Sequence, residues 1–324
     1  MHLSTRLAPT RLTIIGVVLS LAGCAAATTP APSPTAAPAL TPSPAATPAT
    51  GSEPAPTPVP SPSGPDCSPA ALKTLTAGKL TIGTDNPAFS PWWAGPAPAK
   101  GSPWQYADPN NGEGLEGATA YLIAKALGFA RTDVVWVEVH FDAAIQPGPK
   151  KFDLYLAQVS YSAERANAVD LSDGYFDNSQ AVVGFKANPI SKVTTVAGLK
   201  DFRLGTQVGT TSLKYIQDNI KPTKQPRVYN TLDAAVKGLQ AKQIDGLVAD
   251  LGTTFFIRNA ELTDGVIVGE LPTVGEQEHF SAVLNKGSSL TVCVNQAIAA
   301  IKADGSLDAA RQKYITSEGA PKLP

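Results

Sequence analysis

The sequence predicts an α/β fold of two lobes, each built on a mostly parallel sheet flanked by helices. Two observations lead to this prediction. Short β-branched runs alternate with amphipathic segments from about residue 80 onwards. Ahead of them, residues 25–65 hold 13 Pro, 11 Ala, 7 Thr and 5 Ser, and such a segment buries too little apolar surface to offset the entropy cost of ordering. The globular part is therefore expected in residues 66–324.

The amino-terminal residues have the pattern of a targeting segment. Arg6 and Arg11 precede an apolar run at residues 12–19, which is shorter than the ~20 residues that a membrane span needs. The alternative is a single-pass anchor. The sequence Leu-Ala-Gly-Cys at residues 21–24 looks like a bacterial lipobox, and this resemblance implies cleavage before Cys24 and lipidation of its thiol. We expect a signal peptide at 1–23, then a lipidated, disordered tether at 24–65.

Charge and cysteine content narrow the class of protein further. Lys and Arg number 26 against 27 Asp and Glu, a formal net charge of −1, so no field of one sign exists to hold nucleic acid. With Cys24 assigned to lipid, Cys67 and Cys293 remain. In an exported protein an even pair suggests a disulfide, which would join the start of the globular part to a helix near its end. The alternative is two unrelated buried thiols.

The first set of elements opens the globular part. Its strands are expected at 80–84, 134–139, 152–156 and 181–185, with a helix at 117–127 that Gly128 ends. A second set follows, with strands at 202–205, 228–229, 245–249 and 266–268 and helices at 211–219, 232–241 and 252–259.

The strand at 280–284 and the helix at 290–303 then return to the first set. Lobe 1 is therefore expected to comprise 66–187 and 273–324, and lobe 2 188–272. Two connections between the lobes make a natural hinge. Ligands of proteins with such sheets bind at the carboxyl ends of the strands.

Two neighbouring stretches carry a resemblance. They are FDLYLAQVSYSAER, from Phe152 to Arg165, and VDLSDGY, from Val169 to Tyr175. They resemble the signature of family 3 extracellular solute-binding proteins, the receptors of polar amino acid ABC importers, and the resemblance extends over about 70–320. It implies a type II periplasmic-binding-protein fold, without a cofactor or metal. It also implies a monomer that closes on a free, polar amino acid and delivers it to an ABC permease at the outer face of the cell membrane or the periplasmic side.

The resemblance assigns the groups that would hold the backbone of an amino acid. Arg165 would take the α-carboxylate through a bidentate pair that a lysine cannot reproduce, and Ser160 would hydrogen-bond the α-groups. Thr211, at a helix start, would donate its backbone N–H to the same carboxylate. Asp250 would pair with the α-ammonium. The alternatives are a surface ion pair for Arg165 and helix capping for Asp250 and the Thr211 turn.

The ligand side chain would meet a second group of residues. Phe89 and Trp92 would form an apolar wall, and Asp85 would contact a polar side chain. The loop holds one residue more than the family pattern, which leaves open which aromatic ring faces the ligand. Gln158 would bond the ligand side chain or shape the wall. Together Asp85, Gln158 and Gln207 do not resolve a basic from a neutral polar ligand.

Other features of the sequence leave two further classes of protein to weigh. An exported dehydratase on the same scaffold would need a general acid, for which Asp85 is the candidate, and a ligand-binding sensor is the other alternative.

The glycine pattern at 112–117 follows a turn rather than a strand, which excludes a dinucleotide site. The Pro/Gly-rich insertion at 94–113 would cap the cleft or form a surface loop, and we favour the surface loop.

Overall fold

The computed structural model describes residues 64–315 and 319–324. The predictions of a signal peptide, of lipidation at Cys24 and of a disordered tether to residue 63 lie outside the described residues. Among the residues that are described, no helix combines the length and the apolar character needed to cross a membrane.

Twelve strands form within residues 64–315 and 319–324. In chain order they are β1 (Leu80–Thr84), β2 (Val134–Glu138), β3 (Leu154–Tyr155), β4 (Asp170–Leu171), β5 (Phe176–Asp177), β6 (Gln180–Phe185), β7 (Leu204–Gln207), β8 (Arg227–Tyr229), β9 (Gly246–Asp250), β10 (Gly265–Glu270), β11 (His279–Phe280) and β12 (Val283–Leu284).

Eight α-helices alternate with these strands in the described part of the chain. They are α1 (Leu115–Ala126), α2 (Phe141–Ile145), α3 (Ala163–Ala168), α4 (Thr211–Tyr215), α5 (Leu232–Gln240), α6 (Leu251–Phe256), α7 (Thr291–Ala303) and α8 (Ser306–Tyr314). Wider π-helical turns over Ile216–Ile220 and Ile257–Glu261 continue α4 and α6.

Each lobe contains a five-stranded mixed sheet. The first has the order β2-β1-β3-β12-β4, in which β2, β1 and β3 run parallel and β12 is antiparallel to both neighbours. The second has the order β10-β6-β9-β7-β8, in which β9, β7 and β8 run parallel and β6 is antiparallel to β9 and β10. The predicted α/β class with two lobes is confirmed, although in each sheet only three consecutive strands, one of them an edge strand, run parallel.

Helices cover both faces of each sheet because both faces are apolar. In lobe 1 the residues of β1 are all buried, and one core lies between this sheet and α1 and α7 while a second core includes residues of α2. In lobe 2, α5 turns Ala235, Val236 and Leu239 to the core, as its apolar spacing predicts. The central parallel strands β1 and β9 are buried on both faces. Their carboxyl ends, and the loops that follow them, lie towards the space between the lobes.

One strand lies in the other lobe from the one predicted. Residues 181–185 were expected in lobe 1, but β6 pairs with β9 and β10 in the second sheet. Lobe 2 therefore begins near Gln180 rather than at residue 188. The run is apolar and buried on both faces, and such a run is equally compatible with the centre of either sheet.

The last residues also differ from the predicted boundary. Residues 273–324 were expected in lobe 1, but the tail of 319–324 lies on lobe 2. Leu323 is buried in the lobe 2 core and its backbone N–H donates to Glu270 O at 2.9 Å. The backbone N–H of Glu270 donates in turn to Pro321 O at 2.7 Å. A single apolar residue near the terminus gave no periodic pattern from which this docking could be predicted.

Two short strands and a disulfide complete the described structure. β5 and β11 pair antiparallel, with Phe176 opposite Phe280, and they lie on the two segments that connect the lobes. Cys67 and Cys293 form a disulfide with a Cα–Cα distance of 5.5 Å, which confirms the predicted pairing. It ties the start of the described chain to α7 of lobe 1.

Candidate functional site

A cleft of about 740 Å³, its open mouth included, lies between the lobes where β1, β7 and β9 end. Lobe 1 and lobe 2 contribute about equally to its walls. The polar and aromatic residues that line it are Thr84, Asp85, Phe89, Trp93, Phe141, Gln158, Arg165, Thr206, Gln207, Thr210, Thr211, Ser212, Thr231, Asp233, Asp250 and Thr253.

Arg165 enters this cleft from the first turn of α3. The Ser162 hydroxyl accepts the backbone N–H of Arg165 at 3.1 Å, so Ser162 caps the helix as its residue type predicts. Arg165 is 9% exposed. It donates to the carbonyl of Ser160 and, across the cleft at 2.7 Å, to that of Gly209.

The charge of Arg165 is available to an anion. Burial lowers the pKa of Arg165 from its ordinary value, but that value is so high that the guanidinium stays protonated near neutrality. Among the described residues, no carboxylate lies within 4.0 Å of it. The predicted alternative of a surface ion pair does not fit a buried guanidinium.

Asp250 ends β9 and approaches from lobe 2. Its Oδ1 accepts from Asn178 Nδ2 at 2.6 Å and from Gln180 Nε2 at 2.9 Å. Its side chain makes no capping bond to α6, which removes the capping alternative. Burial and the nearby Glu278 carboxylate raise the pKa of Asp250 to about 7.

Thr211 and Ser160 meet beside these two charged groups. The Thr211 Oγ1 lies 3.5 Å from Ser160 Oγ and donates to Glu278 Oε1 at 2.6 Å. The helix cap of α4 is Thr210, whose hydroxyl accepts the backbone N–H of Leu213 at 3.2 Å. Thr211 is therefore free of the capping role, and it faces the cleft in the first turn of α4.

Gln158 lines the cleft wall, and a buried carboxylate holds its side-chain amide. Its side-chain amide donates to the buried carboxylate of Glu116, which also accepts the Gln158 backbone N–H at 2.6 Å. Tyr175 donates to the same carboxylate. Burial raises the pKa of Glu116 to about 7. Gln158, at φ 51°, shapes the cleft wall from a fixed position, with its amide held by Glu116.

The loop after β1 supplies the other predicted residues. Asp85 lines the cleft with its Oδ1 3.6 Å from His140 Nδ1, and burial raises the pKa of Asp85. Phe89 lines the cleft and stacks on Phe256 of lobe 2 at 5.5 Å between ring centroids. Gln207, at the end of β7, lines the opposite wall.

Trp92 does not form the predicted apolar wall. Its ring is fully buried, packs edge-on against Phe176 and Phe280, and donates from Nε1 to Thr253 Oγ1 at 2.9 Å. Trp93 lines the cleft instead. Trp92 and Trp93 are adjacent in the chain, so residue type alone does not distinguish which ring faces the cleft.

The insertion at 94–113 reaches the cleft mouth. Trp104 is buried, and the Tyr106 hydroxyl donates to Asp233 Oδ1 of lobe 2 at 3.3 Å. Glu113 accepts from Lys313 at 3.1 Å. The insertion is thus a surface loop along most of its length, and at Tyr106 it contacts the other lobe.

Three polar residues of this region were missed by sequence reasoning. Glu278 lies on a connecting segment, where no periodic pattern marks it, and Gln180 begins β6 just before its apolar run. Glu116 belongs to the glycine pattern at 112–117 that was set aside. A charged residue at the second position of a mostly apolar helix was the one signal that the sequence offered.

The fold and the cleft define a class of protein, a two-lobed ligand-binding protein with the type II periplasmic-binding-protein fold. The chain belongs to the bacterial extracellular solute-binding proteins, family 3, whose family model matches residues 98–317.

Similar proteins are named for the amino acids that they bind. The chain is 30% identical over 162 residues to an ABC transporter arginine-binding protein 1 of Escherichia coli (strain K12), a match to 48% of this chain and 63% of that protein. It is 23% identical over 225 residues to the arginine-binding extracellular protein ArtP of Bacillus subtilis (strain 168), covering 67% of this chain and 83% of that protein.

Solved structures agree on the fold. An ancestral arginine-binding protein bound to arginine has 26% identity and a TM-score of 0.59, over 74% of this chain and 99% of that chain. The arginine-, lysine-, histidine-binding protein ArtJ of Geobacillus stearothermophilus has 20% identity and a TM-score of 0.61, over 74% and 96% of the two chains.

Proposed function

We propose that this chain captures a free L-α-amino acid with a cationic side chain and delivers it to an ABC importer. The observation that carries the proposal is the pairing of Arg165 from lobe 1 with Asp250 from lobe 2 in one cleft. A guanidinium and a carboxylate facing each other match the α-carboxylate and α-ammonium of a zwitterion. Because the two groups belong to different lobes, one ligand makes both contacts only when the cleft is closed.

The charge of the remaining cleft favours a cationic side chain. The charged residues that line it are Arg165 against Asp85, Asp233 and Asp250. Asp233 already pairs with Lys237 at 2.7 Å. If Arg165 and Asp250 take the α-groups, Asp85 is left to meet the side chain. Relatives named for arginine support the same choice.

The site would act at the end of a lipid tether. The lipobox-like residues 21–24 support acylation of Cys24, and lipid on one cysteine would hold the protein at the outer face of a membrane. Mass spectrometry of the purified full-length chain tests this directly, since an acylated Cys24 at the mature amino terminus has a mass that an unprocessed chain lacks.

Ligand screening tests the binding function. A thermal-shift panel of the twenty amino acids on the purified full-length protein should give its largest rise in Tm with L-arginine or L-lysine, since a ligand at 100 times its Kd stabilises by about 2.7 kcal/mol. L-Glutamate should give none. Recovery of the ligand unchanged after incubation separates a receptor from an enzyme on the same scaffold. No shift with any amino acid at millimolar concentration would contradict the proposal.

A pair of variants tests the choice of side chain. Asp85→Asn should reduce the affinity for L-arginine by at least tenfold and change that for L-glutamine by less than threefold. The control is Asp142→Asn, which removes an exposed carboxylate beside Asp85. Equal losses for L-arginine and L-glutamine in Asp85→Asn would assign Asp85 to the fold rather than to selectivity.

A further inference from the structure

Glu278 forms a second carboxylate beside Asp250. The Gln180 amide donates to Asp250 Oδ1 at 2.9 Å and to the two oxygens of Glu278 at 3.0 and 3.1 Å. One amide nitrogen thus bridges both groups, and their oxygens lie within about 6 Å of each other. Two carboxylates this close in a partly buried setting repel, and one of them readily keeps its proton.

Within residues 64–315 and 319–324, no cationic side chain forms an ion pair with these two carboxylates. Arg165 faces both carboxylates, but its guanidinium donates to the carbonyls of Ser160 and Gly209 and makes no ion pair within 4.0 Å among the described residues. Lys214, in the adjoining groove, pairs with Asp218 at 2.5 Å. The two carboxylates therefore lack a direct ion-pair partner among the described residues, and a proton or a ligand cation can take that place.

We propose that Asp250, beside the Glu278 carboxylate, keeps its proton in the free protein and releases it when the α-ammonium of the ligand arrives. This inference rests on the proposed amino acid ligand. Glu278 acts through Asp250 and is a positioning residue. In the free state the pair carries one proton and a charge of −1. In the bound state the proton has gone to solvent, the pair carries −2, and the ammonium contributes +1, so the local charge is unchanged.

The geometry supports replacement of the proton by the α-ammonium of the ligand. A primary ammonium has three N–H donors, enough to bond Asp250 and to face Glu278 at the same time. Thr211 Oγ1 and Gln180 Nε2 hold the Glu278 carboxylate in place. The elevated pKa of Asp250, about 7 with Glu278 among its causes, places the exchange near neutral pH.

Other titrating or charged groups surround the pair. Those that face it or line the adjoining groove are Glu164, Tyr175, Tyr161, Tyr215, Glu276 and His279. Histidine ordinarily changes charge between pH 5 and 8, and His279 is next to Glu278 in the chain. His279→Gln therefore serves as one control. Glu276→Gln, an exposed glutamate two residues away, serves as the matched control for Glu278→Gln.

Calorimetry in buffers of different ionisation enthalpy measures the protons released on binding. The full-length protein is titrated at pH 6.5 with L-arginine and with L-glutamine, which share both α-groups. We expect wild type, Glu276→Gln and His279→Gln to release about half a proton or more per ligand, and Glu278→Gln less than half of the wild-type amount. The affinity of wild type should fall as the pH is lowered from 7.5 to 5.5, by up to tenfold per unit, with a flatter profile in Glu278→Gln.

Two results overturn the inference. If wild type binds either probe without proton release, or if Glu278→Gln releases as many protons as wild type, Asp250 does not hold a proton that depends on Glu278. If wild type binds neither L-arginine nor L-glutamine and no amino acid raises its Tm, the proposed function itself fails. The two failures are thus distinguishable by whether wild type binds.

Discussion

At the scale of single residues, the site combines a fixed cation with carboxylates whose charge depends on their surroundings. Arg165 stays charged in any surroundings, whereas Asp250 and Glu116 have pKa values raised to about 7. Asp245, by contrast, has a pKa lowered to about 2 because it accepts from Arg203 in a partly exposed pair. Identical chemical groups thus differ in charge because of burial and hydrogen-bond partners.

Substitution of Arg165 tests the assigned anion contact. Arg165→Lys should weaken binding of the ligand by at least a hundredfold, about 2.8 kcal/mol, because one ammonium cannot form a bidentate pair and also reach Gly209 O. Isothermal titration calorimetry measures this change. The control is Arg227→Lys, an exposed arginine that donates to Gln243 and should bind as wild type does. Wild-type affinity in Arg165→Lys would remove Arg165 from the site.

The buried carboxylate of Glu116 predicts a pH dependence of stability. Its pKa is about 7 when folded, against an ordinary value of 4.5, so its contribution to stability is full below about pH 4.5 and is lost as the pH rises through 7. The Tm of wild type should therefore fall more steeply between pH 5 and pH 8 than that of Glu116→Gln. Asp250 titrates over the same range in both proteins and cancels in the comparison. Parallel slopes would show that Glu116 does not titrate there.

At the scale of elements, closure depends on how closely α6 approaches Trp92. A Cβ on Gly252 would lie 2.8 Å from the Trp92 ring, and Thr253 accepts the indole N–H at 2.9 Å. The amino-terminal turn of a lobe 2 helix thus rests on a buried ring of lobe 1. Phe89 and Phe256 stack across the lobes nearby, an interaction worth about 0.5–1.5 kcal/mol beyond burial.

Gly252→Ala should weaken ligand binding by roughly 5- to 150-fold, because the added methyl group separates α6 from Trp92 and disfavours closure. A core overpacking cost of about 1–3 kcal/mol sets this range. Calorimetry measures the affinity, and the Tm of the ligand-free protein measures stability. Gly319→Ala is the control, since a Cβ there meets nothing within 4 Å. Unchanged affinity in Gly252→Ala would mean that Trp92 or α6 shifts at no cost.

Sequence reasoning predicted individual elements well where apolar periodicity was strong. The helix expected at 232–241 is α5 (Leu232–Gln240), and the strand expected at 245–249 is β9 (Gly246–Asp250). It failed where pairing partners decide the outcome. β6 is an apolar run that fits either sheet, and its position follows from hydrogen bonds to residues more than sixty positions away, which no local pattern encodes.

The site was predictable to a similar degree, and for similar reasons. Motif residues such as Arg165, Asp250 and Thr211 do line the cleft, because each follows a strand end or begins a helix. Glu278 could not be predicted, since it lies in a connecting segment and meets Asp250 only through the fold. Trp92 and Trp93 are adjacent and chemically identical, so only packing decides which one faces the cleft.

At the scale of the whole molecule, the disulfide joins residues 226 positions apart, and the segment between them contains every strand and α-helix of lobe 2. Removing a native disulfide typically lowers the free energy of unfolding by roughly 2–5 kcal/mol. Cys67→Ser combined with Cys293→Ser should lower the free energy of unfolding by that amount, measured by urea denaturation under oxidising conditions. Ligand affinity should stay within threefold of wild type, because neither cysteine lines the cleft. A large loss of affinity at full stability would contradict this separation.

The position of the disulfide also has a mechanical consequence. Because Cys67 is bonded to α7, a pull applied at the first described residues is borne by lobe 1 and not by the segments that connect the lobes. Lobe 1 carries Arg165 and lobe 2 carries Asp250, so such a pull does no work on the opening and closing of the cleft.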